Sequence, residues 1–176
     1  MFDKSNRYRK MIQDNNIIPE LKNKLKGKIL IIGLGNVMRG DDGAGPELIR
    51  RLNSSKLSAI NSKLFLMDVG EVLENYLGKI VKYKPDTILL VDAVDFKAPP
   101  GSVKIIDRET IKNESFSTHN ISLKLTLGYL KERTKADIFV LGIQPKNLGM
   151  NSRFSKPVKQ AIEQIEEHLT KNLKKS

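Results

Sequence analysis

The chain has 176 residues and a mass of 19.9 kDa, enough for one domain with a real hydrophobic core. It contains no cysteine, which excludes disulfides, thiolate metal sites and a cysteine nucleophile, and fits a reducing, cytoplasmic setting. Its formal charge of +11 gathers at the ends: seven Lys or Arg against three acids give residues 1–27 a charge of +4, Lys171, Lys174 and Lys175 add +3, and an ordinary +4 is left for residues 28–170. With no basic stripe interleaved with aromatics to stack bases, no nucleic-acid partner is expected.

The first residues, MFDKSNRYRKMIQDNN, are polar and lack the apolar stretch of a secretory signal. Residues 1–27 read as a basic extension holding at most one short helix, Pro19 to Lys26, stopped by Gly27. Its removal is expected to leave the rest folded. KILIIG (Lys28–Gly33) is an apolar run of strand length ending in glycine, hence a buried strand. From Ala44 a helix is predicted, with Pro46 tolerated in its first turn and Leu48, Ile49 and Leu52 on one face. LFLMD (Leu64–Asp68) is a second strand, followed by helical EVLENYLGKI. DTILLVD (Asp86–Asp92) is a third, and a Pro-Pro-Gly turn at Pro99–Gly101 leads to a fourth, SVKIID, in a hairpin-like return. A helix over Ile121–Arg133, a fifth strand over Asp137–Ile143 and an amphipathic helix, KPVKQAIEQIEEHLTKNL, complete the chain.

Strands alternating with helices predict an α/β fold over residues 28–176: a three-layer sandwich in which a twisted, mostly parallel five-stranded sheet carries helices on both faces. No apolar run approaches the roughly 18 residues of a membrane span.

Ligands of such sheets bind beyond the carboxyl ends of the strands. Asp41 and Asp42 follow the first strand there, Asp68 ends the second and Asp92 ends the third. The stretch GLGNVMRGDDGAG superficially matches a dinucleotide fingerprint, but Gly33, Gly35 and Gly40 miss its spacing and Met38 stands where the third small residue belongs. Two carboxylates would also repel a pyrophosphate; they suit a cation. No Walker-type phosphate loop and no G-x-S-x-G elbow is present. Asp41 can cap the helix that follows. Of the two histidines, His168 reads as structural or solvated near a helix C-terminus, whereas His119, just before a helix, can join two strand-end carboxylates around a metal.

The order of GLGNVMRGDDGAGPEL, LLVDAVDFKAPPGSVKIID, STHNISL and FVLGIQPKNLGM resembles the nickel-iron hydrogenase maturation endopeptidases over about residues 28–170, closest to the branch that processes hydrogenase-3-type large subunits. The resemblance implies a cytoplasmic hydrolase that removes a C-terminal peptide from the large-subunit precursor after nickel insertion. It implies that Asp42, Asp92 and His119 contact that nickel, with Asp42 and Asp92 also catalytic, either as an aspartic-type base or beside metal-activated water. Gly35, Asn36 and Asp41 would support the loop under the substrate. The metal is expected to arrive with the precursor, leaving no tightly bound cofactor in the enzyme. A metallochaperone or assembly factor without cleavage activity, and more remotely a dinucleotide-binding oxidoreductase, are the alternative readings.

Overall fold

The computed structural model describes residues 17–107, 110 and 120–174. In chain order the elements are α1 (Ile17–Lys24), β1 (Ile29–Gly33), a 3-10 turn (Gly40–Gly43), α2 (Ala44–Ser54), α3 (Leu57–Ile60) and β2 (Leu64–Asp68). A second 3-10 turn (Leu73–Tyr76), α4 (Leu77–Tyr83), β3 (Thr87–Ala93), β4 (Val103–Asp107), α5 (Asn120–Thr134), β5 (Asp137–Ile143) and α6 (Lys156–Leu173) follow. The sheet order is β2-β1-β3-β5-β4, with every neighbouring pair parallel except β4 against β5. The expected five-stranded, mostly parallel α/β sheet is therefore present.

Strand alternation divides the core into two layers. Ile29, Ile31, Leu89, Val91, Leu141 and Ile143 face one cluster, closed by Leu48 and Leu52 of α2 and Val158, Ile162 and Ile165 of α6. Leu30, Ile32, Ile88, Leu90, Ile138 and Val140 face the other, closed by Ile80 of α4 and Leu127 and Leu130 of α5. This two-sided burial explains why the central strands are continuously apolar in sequence. On the first face, Arg51 of α2 joins Glu47 at 2.8 Å and Glu166 of α6 at 3.1 Å, tying the two helices together at their solvent edge.

Two expectations are corrected. The fourth strand is not a hairpin partner of the third, because β5 lies between them and pairs with both. The reason is burial: β5 has one exposed residue at its start and is otherwise shielded, whereas β4 exposes Lys104 and Asp107 and belongs at an edge. The short N-terminal helix forms, yet it does not stand apart from residues 28–174. Ile17 and Leu21 are buried in the same cluster as α2 and α6. The Thr87 hydroxyl donates to the Lys26 carbonyl at 2.8 Å, and Lys28 N donates to Asp86 Oδ2 at 2.7 Å, fastening this segment to the start of β3. A boundary drawn from polarity missed two apolar residues four apart, one helical turn.

Leu21→Ala should accordingly cost about 2–4 kcal/mol, the usual range for a buried leucine. Urea unfolding measures it, and a change below about 0.5 kcal/mol, typical of surface sites, would return α1 to the status of an appendage.

Candidate functional site

The sheet order places β1 at the centre of a switch. The chain leaves β1 for β2 on one side, then crosses back to β3 on the other. Connections from β1 and β3 thus lead to opposite edges, and a crevice opens between their carboxyl ends. Asp42 lies on the loop after β1 and Asp92 near the end of β3. Leu34 N donates to Val91 O at 2.9 Å, carrying the β1–β3 ladder up to this point.

Glycine makes the approach possible at two positions. A side chain on Gly45 would run into the Val91 carbonyl and the Leu34 backbone, so only glycine lets the first turn of α2 sit against the strand ends. Gly35 has φ +135°, and a Cβ there would collide with the Asp42 carbonyl. Asn36 holds the turn between them: its Oδ1 accepts from Met38 N at 2.8 Å and its Nδ2 donates to Glu71 Oε2 at 3.0 Å. Its backbone N–H donates to Asp42 Oδ2 at 3.0 Å. Asp42 is half-buried, and its Oδ1 takes no hydrogen bond among the described residues.

Asp92 keeps a small accessible rim, but protein packs around it densely. That desolvation pushes its carboxyl up to about 7, the neighbouring Asp42 charge adds to the rise, and a hydrogen bond from Ala93 N opposes it. A carboxyl reached by water only at its rim is still poorly solvated. Two carboxyls therefore meet in one crevice, one of them able to gain or lose a proton near neutral pH.

Asp41 does something different from its neighbour, and it does not cap the helix that follows. Neither the 3-10 turn nor α2 has a side-chain cap. Asp41 is fully buried, and its carboxylate accepts from Lys146 N (2.8 Å), Asn147 N (3.0 Å), Ser155 N (2.7 Å) and Ser155 Oγ (2.8 Å). Its own N–H donates to Asn147 O at 2.9 Å. Asp41 thus locks the loop after β1 to the loop after β5.

Sequence reasoning missed Gln144. This buried side chain accepts from Phe96 N (2.9 Å) and Ala98 N (3.2 Å) and donates to Asp95 Oδ1 (3.1 Å), pinning the loop that follows Asp92. Its signal was its place directly after an apolar strand and before Pro145. Asp95 is exposed, and hydrogen bonds from Lys97 and Gln144 hold its carboxyl down at about 2. Glu74, also missed, accepts from Ser122 and Thr126 and so anchors the first turns of α5. Asp68 is exposed and accepts from Gly70 N at 3.0 Å in a local turn. His168 is half-buried beside Leu21, Lys22 and Leu25, and burial followed by the Lys171 charge lowers its pKa. His119 lies outside the described residues, which resume at Asn120. Among the described residues no group of three His, Cys, Asp or Glu converges on a metal position.

A doubly covered, mostly parallel sheet with paired carboxyls at its switch point defines an α/β protein with an acid-lined crevice suited to hydrolysis. The profile of the hydrogenase maturation proteases, described as HycI, matches residues 46–172, and the chain belongs to that family of endopeptidases. It is 36% identical over 142 residues to the hydrogenase 3 maturation protease of Escherichia coli K12, covering 80% of this chain and 87% of that one. The fold is similar to the crystal structure of the [NiFe] hydrogenase maturation protease HycI from Thermococcus kodakarensis KOD1, with a TM-score of 0.80, 34% identity, and coverage of 88% of this chain and 99% of that one. It is also similar to HybD of the same organism, with a TM-score of 0.64, 28% identity, and coverage of 80% and 95%. No helix among the described residues is long and apolar enough to cross a membrane.

Asp41→Asn should destabilise the protein by about 2–4 kcal/mol, since the amide replaces an acceptor with a donor aimed at N–H groups. Hydrogen exchange should quicken at Lys146, Asn147 and Ser155. Unchanged exchange there would show that the loops are held by other means.

Asp92 gives a pH test. Its folded pKa of about 7 lies above the unfolded value of 3.8, so the folded state holds this proton more tightly. The charged form is penalised by folding: the penalty is absent below the unfolded value, grows between the two, and is complete above about 7. Asp92→Asn should therefore raise stability by on the order of 4 kcal/mol at pH 8 and leave it little changed at pH 3.5. A stability difference independent of pH would contradict the buried, coupled carboxyl.

Proposed function

We propose that the protein is a cytoplasmic endopeptidase that removes the C-terminal peptide from the nickel-loaded precursor of a nickel-iron hydrogenase large subunit, the maturation step that completes that subunit. The observation that carries this reading is the meeting of Asp42 and Asp92 at the sheet's switch point in a member of this family. Nickel enters as part of the substrate. Asp42 Oδ1, Asp92 and His119 are its contacts on the enzyme side, a mixed oxygen and nitrogen set suited to that ion. The chain holds two histidines and no cysteine, too few strong ligands to retain nickel tightly once the product leaves.

Cleavage follows from the same geometry. Contact with precursor-bound nickel sets the register of the scissile peptide across the crevice. Water adds to its carbonyl carbon, a carboxylate at the site takes the water proton, and that proton passes to the departing amine as the C–N bond breaks. Asp92 fits the proton-handling part, because its desolvated carboxyl titrates near neutral pH. This is aspartic-type chemistry in the sense that carboxylates do the work, with the metal ion as the recognised feature of the substrate.

Asp42→Asn, Asp92→Asn and His119→Ala should each slow tail removal from nickel-loaded precursor by about 100-fold or more while circular dichroism stays unchanged. His168→Ala should retain full activity. A fully active His119→Ala would remove that residue from the site, and wild-type protein that binds loaded precursor without shortening it would mark an assembly factor instead.

A further inference from the structure

The loops around Asp41 expose large apolar side chains at a level that solvent alone does not favour. Val37 is 61% exposed, Met38 54%, Leu148 41% and Met150 64%. All four lie on two loops, residues 36–40 and 146–152, that are fastened to each other. Asn151 N donates to Met38 O at 2.7 Å, Asp41 N donates to Asn147 O at 2.9 Å, and the buried Asp41 carboxylate grips the second loop from beneath. Exposed hydrophobics on backbone fixed this firmly mark a preformed contact surface.

The exposed charges on the two loops are basic, and one acid, Glu71, borders them where it accepts from Asn36. Arg39, Lys146, Arg153 and Lys156 lie on or directly beside these loops, and none pairs with an acid among the described residues. The loop after β5 has no acidic residue from Gln144 through Lys156, and on the loop after β1 Asp41 is buried and Asp42 belongs to the crevice. The surface is also continuous with the crevice: Asn36, which binds Asp42, directly precedes Val37 and Met38.

We infer that Val37, Met38, Leu148 and Met150 form a docking surface for the large-subunit precursor, taking an apolar segment flanked by acidic residues, with Arg39, Lys146, Arg153 and Lys156 facing the acids. The inference rests on the proposed processing function. Two unbranched methionines let the surface adapt to the side chains it receives. Docking on these side chains involves neither Asp92 nor nickel. The surface therefore binds precursor before or without the metal, and the carboxylates inspect the nickel afterwards.

Nickel-free precursor is the probe, because it reports docking without turnover. The triple variant Met38→Ser, Leu148→Ser, Met150→Ser, with thermal unfolding unchanged because the positions are exposed, should bind it about tenfold more weakly than wild type. Ile60→Ser, an exposed apolar position on α3, should bind as wild type. Wild-type affinity should fall with added salt, and Lys146→Gln combined with Arg153→Gln and Lys156→Gln should flatten that dependence. Equal affinity of the triple variant and wild type, or no binding of nickel-free precursor by wild type, overturns the proposal. So does sedimentation showing a wild-type dimer that the triple variant dissolves with precursor affinity intact, since the surface would then join two copies of this chain. Wild-type protein that binds nickel-free precursor through these residues but fails to cleave the loaded form leaves docking standing and removes the proposed activity.

Discussion

The site depends on one buried charge. Asp41 sits with no exposed surface, and an isolated carboxylate there would be far too costly to keep ionised. Three backbone N–H groups and one hydroxyl converge on it, and all four come from the segment between Lys146 and Ser155. The carboxylate therefore cannot be satisfied unless the loop after β1 and the loop after β5 close on each other. That closure fixes the 3-10 turn carrying Asp42 and holds the exposed apolar side chains of both loops on rigid backbone.

The sheet supplies the other half of the geometry. Placing β1 between β2 and β3 opens a crevice at the strand ends, and the buried run of β3 from Thr87 to Val91 leads directly to Asp92 there. Desolvation that would only destabilise a structural acid here tunes a carboxyl to titrate near neutrality. Gln144 then stabilises the loop beyond Asp92 through contacts to Phe96, Ala98 and Asp95. Two polar clamps, both involving the segment after β5, hold the loops after β1 and β3 in place above the apolar core.

Much of this was legible in the sequence. Apolar runs of strand length separated by helical spacing defined β1, β2, β3 and β5, because strands buried on both faces have few polar positions to disguise them. The acids at strand ends were legible for the same reason: a charge at the end of an apolar run stands out. Strand order was not legible, since β4 pairs with β5 across a connection whose path no local pattern encodes. Nor were the partners of Asp41, which lie more than one hundred residues away and contribute mainly backbone groups. A backbone donor has no side-chain identity to read. Asp41 and Asp42 are neighbours of identical chemistry, and only tertiary contacts separate the buried clamp from the crevice acid.

The central claim is that the enzyme inspects the metal before it cuts. Purified protein should be incubated with two forms of one large-subunit precursor, loaded with nickel and free of it, and the products weighed by mass spectrometry. The account predicts that the loaded form alone loses mass, by a single C-terminal peptide, while the nickel-free form stays intact. Equal shortening of both forms would contradict it, because carboxylates that cut regardless of nickel are not sensing it.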